Sequence, residues 1–472
     1  MIPLRWLSLC FIVIAFLVIS VEKTSADSVS RDDWDDMTAM LKRITTPTFP
    51  AKDFSIHDFG AVGDGKTDCR EAFAKAITAC NAAGGGRVVV PVGVFFSKGP
   101  IHLKSNVDLH LSDGATIRFS DDVDSYLPVV LTRFEGTMLY GFSPRIYANG
   151  QTNIAITGKG IIDGNGKATL TRMKTAKTGS VGDLRKMGAE GVPVEKRIFG
   201  PGQWLRPSMI QPLNCTNVLI EDITVLDSTF WVIHPTLCKN VTVRGVKVNS
   251  MNGNNDGCDP DSCTDVLIEN CDFHTGDDSI AIKSGRDQDG WTVGRATENI
   301  VIRHCLMRSN HSALCIGSEM SGGIRNVFME DCKLTSVSSA FYFKANLDRG
   351  GAVQHVRARR IEAEQVREGV VRFETGYHGY RGENHPPKFE DFVIEDVHCS
   401  QSNAYGIYIE GVEAAPIKNV IIRRTVIDSA KAPLWLKKAE VIRLESVKIN
   451  GQPVPETPPL TSDQEQKLKI SS

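Results

Sequence analysis

Seven aspartates lie within the 32 residues from Asn254 to Gly285, among small and β-branched residues. They are Asp256, Asp259, Asp261, Asp265, Asp272, Asp277 and Asp278. The strand-like run 266–268 separates them into two groups. A second strand-like run, 279–282, directly follows the adjacent pair Asp277 and Asp278. Carboxylates that neighbouring strands hold within a few ångströms of one another are the groups that acid/base cleavage of a sugar bond requires.

The composition is that of an ordinary globular protein. The chain has 472 residues, of which 41% are hydrophobic and 23% charged, with a formal net charge of −2. This length allows a large core, in one elongated domain or in two compact ones. Because the charge is so small, we expect no nucleic-acid partner. An anionic ligand would have to be held by local lysines and arginines.

The N-terminus has the pattern of a secretory signal over residues 1–26. Arg5 supplies the positive start, residues 7–21 are apolar, and small residues at 24–26 suit cleavage. The apolar run of about 15 residues is shorter than the roughly 20 that span a bilayer. We predict a secreted or periplasmic protein without stable membrane insertion after cleavage, with an uncleaved anchor as the alternative.

A helix and a linker precede the main domain. Residues 31–44 predict a short helix, so that 27–52 form an N-terminal helix and linker. Residues 71–83 predict an amphipathic helix that ends at three glycines. We expect this helix to cap the open end of the sheet that follows, since an uncovered edge invites aggregation. The main domain is predicted to cover 53–450, with a polar, frayed tail over 451–472.

The main domain is repetitive. A template of Asn or Asp followed by apolar, any and apolar residues starts at Asn153, Asn217, Asn240, Asp265, Asn299, Asn326, Asp391 and Asn419. From Asn217 to Asn326 the steps are 23, 25, 34 and 27 residues. Short strands at a loose period predict the coils of a parallel β-helix, an all-β solenoid. A leucine-rich solenoid would need closely repeated Leu, and packed sheets would more often show hairpin turns.

A second column lies six positions beyond the template start, and it is apolar or cysteine throughout: Ile223, Val246, Cys271, Cys305 and Cys332. We therefore interpret these cysteines as stacked core residues rather than as metal ligands or disulfides. Cys69 and Cys80 lie eleven residues apart on one predicted helix. That is roughly 16 Å along the axis, too far for a disulfide.

Candidate site residues recur in the second half of successive coils. Relative to each template start, Asp256 lies at +16, Asp277 and Asp278 at +12 and +13, His311 at +12 and Lys344 at +18. Coils that stack at about 4.8 Å would bring these positions into a row across one face. The spacing therefore places all five residues in one predicted cleft.

Four ordered motifs carry a resemblance to a known family. They are Asn254-Asn255-Asp256-Gly257, Gly276-Asp277-Asp278-Ser279, Asn310-His311-Ser312 and Tyr342-Phe343-Lys344. The stretch from about Phe54 to Gly351 resembles the polygalacturonases, glycoside hydrolase family 28. Two further segments, DFGAVGDGKTD and ITGKGIIDGNG, resemble its bacterial branch. The resemblance implies a right-handed parallel β-helix that acts on a pectic polysaccharide or oligosaccharide.

The resemblance also implies hydrolysis with inversion, without a cofactor or metal. Asp277 would protonate the leaving oxygen, and Asp256 and Asp278 would activate water. An inverting site holds its carboxyls roughly 6.5–9.5 Å apart. Clustered carboxylates repel one another, so at least one should keep a proton near neutrality. Adjacent residues point to opposite faces of a regular strand, so a bend is needed to expose both Asp277 and Asp278.

The other motif residues are assigned to positioning and binding. His311 would position a carboxylate or the substrate, Lys344 would pair with a uronate carboxylate, and Asn254 would bind substrate. Without the family motifs, His311 would be interpreted as a turn or surface histidine and Lys344 as a solvated surface amine. Three further aspartates, Asp259, Asp261 and Asp265, are predicted to be ordinary turn residues.

Tyr342 departs from the family pattern, in which an Arg at this position clamps the galacturonate carboxylate together with the Lys. Tyrosine can donate one hydrogen bond or stack on a sugar ring, but it cannot make the bidentate charged contact. We therefore predict altered recognition of plain polygalacturonate, with rhamnogalacturonan-type oligosaccharides as a candidate substrate.

Two other functions are compatible with a β-helix. A pectate lyase would need calcium and an Arg base, and the DxDxDG…E calcium loop is absent from the sequence. The other is a catalytically inactive β-helix that binds carbohydrate. Endo or exo action and the oligomeric state stay open.

Overall fold

The computed structural model describes residues 33–173, 181–377, 382 and 385–461. The predicted signal peptide, 1–26, and the end of the predicted tail, 462–472, lie outside the described residues. Among the residues that are described, no helix is both long and apolar enough to cross a membrane.

Helices are few in the described part of the chain. The α-helices are α1 Asp33–Arg43, α2 Arg70–Ala82, α3 Gly166–Met173, α4 Val181–Ala189 and α5 Asp287–Val293. The short 3-10 helices are Ile56–Phe59, Val123–Tyr126 and Val194–Lys196.

Strands make up most of the remainder. In the first half they are β1 Asp53–Ser55, β2 Asp64–Asp68, β3 Gly86–Val90, β4 Gly93–Ser97, β5 Ile101–His102, β6 Val107–Leu111, β7 Ala115–Phe119, β8 Val130–Phe134, β9 Thr137–Gly141, β10 Ile146–Asn149, β11 Thr152–Gly158, β12 Ile161–Asp163, β13 Ile210–Leu213, β14 Thr216–Glu221, β15 Thr224–Leu226, β16 Lys239–Arg244 and β17 Lys247–Ser250. In the second half they are β18 Thr264–Glu269, β19 Asp272–Thr275, β20 Ile280–Ile282, β21 Thr297–Arg303, β22 Leu306–Ser309, β23 Ser312–Ile316, β24 Ile324–Lys344, β25 Ala352–Glu374, β26 Lys388–Glu410, β27 Ile417–Arg423, β28 Val426–Ile427, β29 Ala430–Lys437, β30 Ala439–Glu445, β31 Lys448–Ile449 and β32 Gln452–Pro453.

The strands pair from coil to coil in parallel, as the repeat predicted. Val218 of β14 lies opposite Val241 of β16, which lies opposite Val266 of β18. The same column continues to Ile300 of β21 and Val327 of β24. These five side chains are buried in one continuous core. The all-β prediction of a parallel β-helix is therefore confirmed.

The template residues explain where each coil turns. All eight adopt the left-handed region, with φ between 53° and 66°. Asn and Asp tolerate that conformation better than other residues with a side chain. Their amides also bond from coil to coil: Asn217 Nδ2 donates to Asn153 Oδ1 at 2.9 Å, and Asn240 Nδ2 donates to Asn217 Oδ1 at 2.8 Å.

The predicted cysteine column lies in the core. Cys271, Cys305 and Cys332 are each 2% exposed and form one stack with Ile223 and Val246. The eleven cysteines within the described residues are all buried and free of disulfides. The prediction that these three cysteines are core residues is therefore confirmed, and Cys69 lies at the start of α2 while Cys80 lies near its end.

Two helices pack against the β-helix in different ways. Phe73, Ile77 and Cys80 of α2 are buried in the main core, so α2 caps its N-terminal end as predicted. The other, α1, lies against the outside of the coils. Its Trp34 donates from Nε1 to Glu395 Oε1 at 3.1 Å, and the guanidinium carbon of Arg359 lies 3.7 Å from the Trp34 ring centroid.

The predicted fraying of the tail from residue 451 is wrong for its described part, 451–461. Strand β32 pairs with β31 in antiparallel fashion. Leu444 N donates to Glu456 O, and Thr461 N donates to Leu436 O, both at 2.8 Å. These backbone bonds give the polar segment partners that its composition does not reveal, and they cover the last coils.

A hairpin and a helix form a wall beside the coils. Strands β8 and β9 pair in antiparallel fashion, and their side chains pack with α4 around Phe230 and Trp231. Gly136, at the hairpin tip, has φ +78° and accepts a 3.0 Å hydrogen bond from Arg286 N. A Cβ at this position would lie 2.8 Å from that nitrogen, so glycine allows the hairpin to touch the coil behind it.

Candidate active site

A bend holds the adjacent aspartates. Asp277 and Asp278 lie between β19 and β20, in the irregular segment 276–279. Thr275 Oγ1 and Ser309 Oγ donate to Asp277 O at 2.7 and 2.5 Å. The predicted bend is therefore present, and it is held by hydroxyl groups from two successive coils.

The loop before Asp256 is fixed by a buried amide. Asn255 Oδ1 accepts from Ser250 Oγ at 2.6 Å, and its Nδ2 donates to Phe230 O at 3.1 Å. Directly after Asp256, Gly257 N donates to Asp278 O at 2.9 Å. The backbone of one aspartate segment is thus bonded to that of the other across one coil step.

A cleft of about 330 Å³ opens over these segments. Six of the seven predicted site residues line it: Asn254, Asp256, Asp277, Asp278, His311 and Lys344. The cleft wall also includes Glu135 from the β8–β9 turn and Arg185 from α4. The row predicted from coil spacing therefore does converge on one cavity.

Asp277 and Asp278 have opposite electrostatic environments. Burial and the charge of Asp278 raise the pKa of Asp277 above its usual range. Burial also acts to raise the pKa of Asp278, but Lys344, Lys283 and the backbone of Ser312 outweigh it and lower that pKa. Lys344 Nζ lies 3.6 Å from Asp278 Oδ2, and Ser312 N donates to Asp278 Oδ1 at 2.8 Å. Asp277 is therefore suited to hold a proton and Asp278 to remain ionised.

Asp256 lies deeper than this pair. Its side chain is 4% exposed, and its Oδ2 is 3.9 Å from Lys283 Nζ. Burial and the charge of Asp277 raise the pKa of Asp256 well above its usual range, against the attraction of Lys283. A base needs a pKa below the working pH, so a group that lowers the pKa of Asp256 would favour its role in activating water.

His311 and Asn254 lie at the rim. The His311 side chain is 56% exposed, with Nδ1 3.9 Å from Asp277 Oδ1. One ligand atom each from Asp277, Asp278 and His311 lie within 4.8 Å of one another, a spacing that could hold a metal ion. Asn254 Oδ1 accepts from Arg206 Nη2 at 2.6 Å.

Tyr342 lies behind Lys344 rather than on the cleft wall. Its hydroxyl donates to Glu374 Oε2 at 2.6 Å, and its ring centroid is 4.8 Å from Lys344 Nζ. Arg372, on the next coil, covers the same ring at 4.2 Å. The sequence predicted that the Tyr342 hydroxyl could donate to a sugar. In the structure it donates to Glu374 instead. The structure gives Tyr342 a supporting position under Lys344.

A network of charges along the cleft was not predicted. Lys283 Nζ donates to Gly317 O at 2.8 Å and lies 3.5 Å from Glu319 Oε2. Arg286 Nη1 pairs with Glu319 at 2.8 Å and with Glu135 at 3.4 Å. Arg185 pairs with Glu135, Arg349 pairs with Asp287, and Trp231 lies under Lys283 with its ring centroid 5.0 Å from Nζ. The sequence contained one indication of this network: Lys283 and Arg286 closely follow the aspartate pair.

The prediction of ordinary turn residues is wrong for Asp259 and Asp261. Both are fully buried beneath the cleft, and Asp261 belongs to a parallel bridge with Lys283. Asp261 Oδ1 lies 2.8 Å from Arg133 Nη1 and accepts from Gly285 N at 2.9 Å. Asp265 does begin a coil turn, with φ +61°.

The chain is similar to known carbohydrate-active proteins over most of its length. The profile described as "Glycosyl hydrolases family 28" matches residues 80–443. The chain belongs to this family. Together with the relatives described next, this membership identifies it as a glycoside hydrolase of the polygalacturonase type, acting on pectin.

Individual relatives extend the comparison. A "Probable polygalacturonase" of Vitis vinifera is 29% identical over 398 residues, covering 80% of this chain and 74% of the relative. An "Exo-poly-alpha-D-galacturonosidase" of Dickeya chrysanthemi is 27% identical and covers 83% of this chain and 68% of the relative. The crystal structure of a hyperthermoactive exopolygalacturonase from Thermotoga maritima is 39% identical. It has a TM-score of 0.83 and covers 89% of this chain and 96% of that one.

Proposed function

We propose that the protein removes residues from pectic chains by inverting hydrolysis of α-galacturonosidic bonds. Asp277 acts as the general acid, and Asp256 and Asp278 activate the water. The observation that carries this assignment is the opposite direction of the two pKa shifts, upward for Asp277 and downward for Asp278, in one cleft. Two adjacent carboxyl groups with separated pKa values are suited to acid and base roles.

Inversion is supported by how Asp278 is held. The oxygens of Asp277 and Asp278 come within 4.8 Å, closer than the roughly 6.5–9.5 Å of an inverting pair and close to the spacing of a retaining one. However, Asp278 is 1% exposed, and both of its oxygens face donors, Ser312 N and Lys344. A carboxylate so enclosed is better placed to orient a water than to attack the anomeric carbon itself.

An acidic sugar chain fits the charges of the cleft. Its wall includes Lys283, Lys344, Arg185 and Arg286. Such cations can pair with the carboxylate of a galacturonate, and Lys344 is assigned that role beside the reacting bond. Tyr342 adds no second positive charge beside Lys344 for binding a galacturonate carboxylate. Rhamnogalacturonan oligosaccharides, in which galacturonate alternates with a neutral sugar, are therefore to be tested beside polygalacturonate.

Exo action is supported by the wall that the β8–β9 hairpin and α4 form. Glu135, at the hairpin turn, pairs with Arg185 of α4 and with Arg286, so these three residues connect the wall to the coil behind it. A wall across one side of a cleft favours binding of a chain end over binding of a chain interior. Relatives from Thermotoga maritima and Dickeya chrysanthemi carry exo-acting names.

Export and domain limits are part of the same proposal. We assign residues 1–26 to a secretory signal, 27–52 to the N-terminal helix and linker, 53–450 to the catalytic domain and 451–472 to a C-terminal tail. Pectic polymers lie outside the cell that degrades them, which suits a secreted or periplasmic enzyme. N-terminal sequencing of the exported protein would test the cleavage site.

The decisive experiment follows products from polygalacturonate and from rhamnogalacturonan oligosaccharides, with the anomeric form monitored by NMR. We expect galacturonate released from chain ends, with the β-anomer appearing first from an α-linkage. An initial α-anomer would refute inversion, and a ladder of internal products would refute exo action. The matched control is Asp277→Asn, which should release neither product.

A lyase is the second candidate, because the spacing of Asp277, Asp278 and His311 could hold a cation. Its products would carry a carbon–carbon double bond and absorb ultraviolet light, and activity would stop on addition of a chelator. We expect saturated products and full activity in the chelator. Binding without any release of reducing ends would instead indicate the inactive carbohydrate-binding form.

A further inference from the structure

Asp259 lies beneath the cleft and has no conventional hydrogen-bond donor. It is fully buried, and neither of its carboxylate oxygens has a donor within reach in the described residues. The same holds for Asp256 Oδ1. Asp256 is three residues away on the same bridged segment, and its carboxyl group acts on Asp259 as a side-chain hydrogen-bond partner that raises the pKa of Asp259. The two side chains together thus hold three buried acceptor oxygens that lack a donor.

Two ionised carboxylates are not stable in this arrangement. Buried acceptors without donors cost free energy, and two adjacent anions away from water repel each other strongly. The nearest cation, Lys283, lies 3.9 Å from Asp256 Oδ2 and also serves Glu319 and Gly317 O. One ammonium group shared in this way cannot satisfy both carboxylates. A single proton between them supplies the missing donor.

We propose that Asp259 is a positioning residue that keeps a proton and donates it in a hydrogen bond to Asp256 Oδ1. Asp256 then remains an anion, with Oδ2 directed to Lys283. This inference rests on the proposed function, in which Asp256 activates water. Its consequence is to explain how a buried Asp256 can act as a base. From the sequence alone, Asp259 was predicted to be an ordinary turn residue.

The backbone fixes the contact. Asp256 O accepts from Val232 N at 2.8 Å, and Asp259 N donates to Ile233 O at 2.8 Å. Cys258, between them, bridges Ile233 on one side and Ile280 on the other. The segment from Asp256 to Asp259 is therefore held between two parallel neighbours, which leaves its carboxylates little freedom to separate.

The proton count during hydrolysis follows directly. Before the reaction the pair holds one proton, on Asp259. The attacking water transfers one proton to Asp256 Oδ2 as its oxygen bonds to the anomeric carbon, while Asp277 gives its proton to the leaving oxygen. The pair then holds two protons. When the product leaves, Asp256 returns one proton to solvent and Asp277 takes one up, which restores the starting state. The charged groups that act on the pair are Asp277, Asp278, Lys283 and Lys344, and Lys283 is itself paired with Glu319.

The first test compares the pH profiles of kcat/KM for Asp259→Asn and Asp259→Leu. The Asn amide can still donate to Asp256, so we expect activity within about tenfold of the native enzyme and an unmoved acidic limb. Leu cannot donate, so its acidic limb should move up by about one to two pH units, with a roughly ten- to hundredfold loss at the native optimum. Equal profiles for the two variants would overturn the donor role.

The matched control is Asp108→Asn. Asp108 is also a buried aspartate, with a pKa raised to about 6 by burial, but it lies in an early coil and bonds to Thr157. Its replacement should leave the pH profile unchanged. Thermal unfolding of each variant separates a change in the profile from a loss of folded protein.

The second test does not depend on activity. Infrared spectra of Asp277→Asn and of Asp277→Asn/Asp259→Asn at about pH 8, above the pKa of about 6 of Asp108, report protonated carboxyl groups. The carbonyl band of one protonated carboxyl should be present in the first protein and lost in the second. An unchanged band would overturn the inference even if Leu misfolds. Full activity of Asp277→Asn would instead refute the proposed function and leave the infrared result standing.

Discussion

Replacement of Lys344 by Met tests the electrostatic basis of the site most directly. Lys344 Nζ lies 3.6 Å from Asp278 Oδ2, and both side chains are nearly inaccessible, with 11% and 2% exposed. The ammonium lowers the pKa of Asp278, while burial acts in the opposite direction. Met keeps the apolar stem against Tyr342 and removes the charge. The pKa of Asp278 should therefore rise.

The magnitude follows from the distance. Two unit charges at 3.6 Å in an effective dielectric of about 20 attract by about 4–5 kcal/mol, which corresponds to an upper bound of about three pKa units. Ser312 N still donates to Asp278 and Lys283 still attracts it, so we expect a rise of about one to three units. Breaking a buried pair also leaves one charge uncompensated, at a cost of about 3–5 kcal/mol in the free energy of unfolding.

The assay is the pH profile of kcat on saturating oligogalacturonate, with Lys344→Arg as the control that keeps a cation. In Lys344→Met the acidic limb should move to higher pH, because Asp278 must be ionised to activate water. In the folded native enzyme the lowered pKa of Asp278 adds stability above its unfolded pKa, and this stability is lost as pH falls through the folded value. The stability difference between native and Met proteins should therefore shrink in acid. An unmoved acidic limb, with only KM increased, would refute this reasoning and leave Lys344 a substrate contact alone.

Three further predictions address other parts of the molecule. Asp277→Asn should lower kcat by about 10²–10⁴-fold with little change in oligosaccharide binding measured by calorimetry, whereas Asp272→Asn, at the exposed start of β19, should be neutral; comparable losses in both would contradict the acid assignment. Tyr342→Arg should raise kcat/KM for polygalacturonate relative to rhamnogalacturonan oligosaccharides, with Tyr342→Phe as the control, and an unchanged ratio would show that this position does not select the polymer. Trp34→Ala should lower the free energy of unfolding by about 3–5 kcal/mol in denaturant melts, because Trp34 is buried against the outer side of the coils with Leu267 and Phe328. It should leave kcat unchanged, because Trp34 is not among the residues that line the cleft. Unchanged stability would mean that α1 does not support the β-helix.

The fold was predictable because its signal is repeated in every coil. Each coil needs one residue that tolerates the left-handed region, and Asn or Asp at the template start meets that need. Each coil also needs an apolar residue at a fixed distance from that turn, as Val246 and Cys271 show. The repeat remains recognisable in the sequence even where one coil departs from it. His355, for example, occupies a position at which neighbouring coils carry Asn or Asp, and it adopts the same left-handed conformation.

The site was predictable only where its residues belong to the coils. Asp256, Asp277 and His311 follow the repeat and therefore meet in one cleft. Glu135 and Arg185 lie in a hairpin and a helix outside the repeat, so no spacing rule connects them to the cleft. Asp259 was misread for another reason. The local sequence Asp-Pro-Asp-Ser is compatible with a turn in water, and its burial is decided by the strands on either side of it.

The arrangement of lysines indicates why one carboxyl can act as the acid. Three carboxylates meet in the cleft, and two of them have an ammonium group within ion-pair distance: Asp256 has Lys283 at 3.9 Å and Asp278 has Lys344 at 3.6 Å. Asp277 instead has the rim histidine His311 at 3.9 Å, and its strongest charged neighbour is the anion of Asp278. A carboxyl group beside an anion binds a proton more tightly than one beside a cation. Within the adjacent pair, the position of Lys344 thus favours ionisation of Asp278 and leaves the proton on Asp277, so exchanging these two roles would require moving a cation rather than an aspartate.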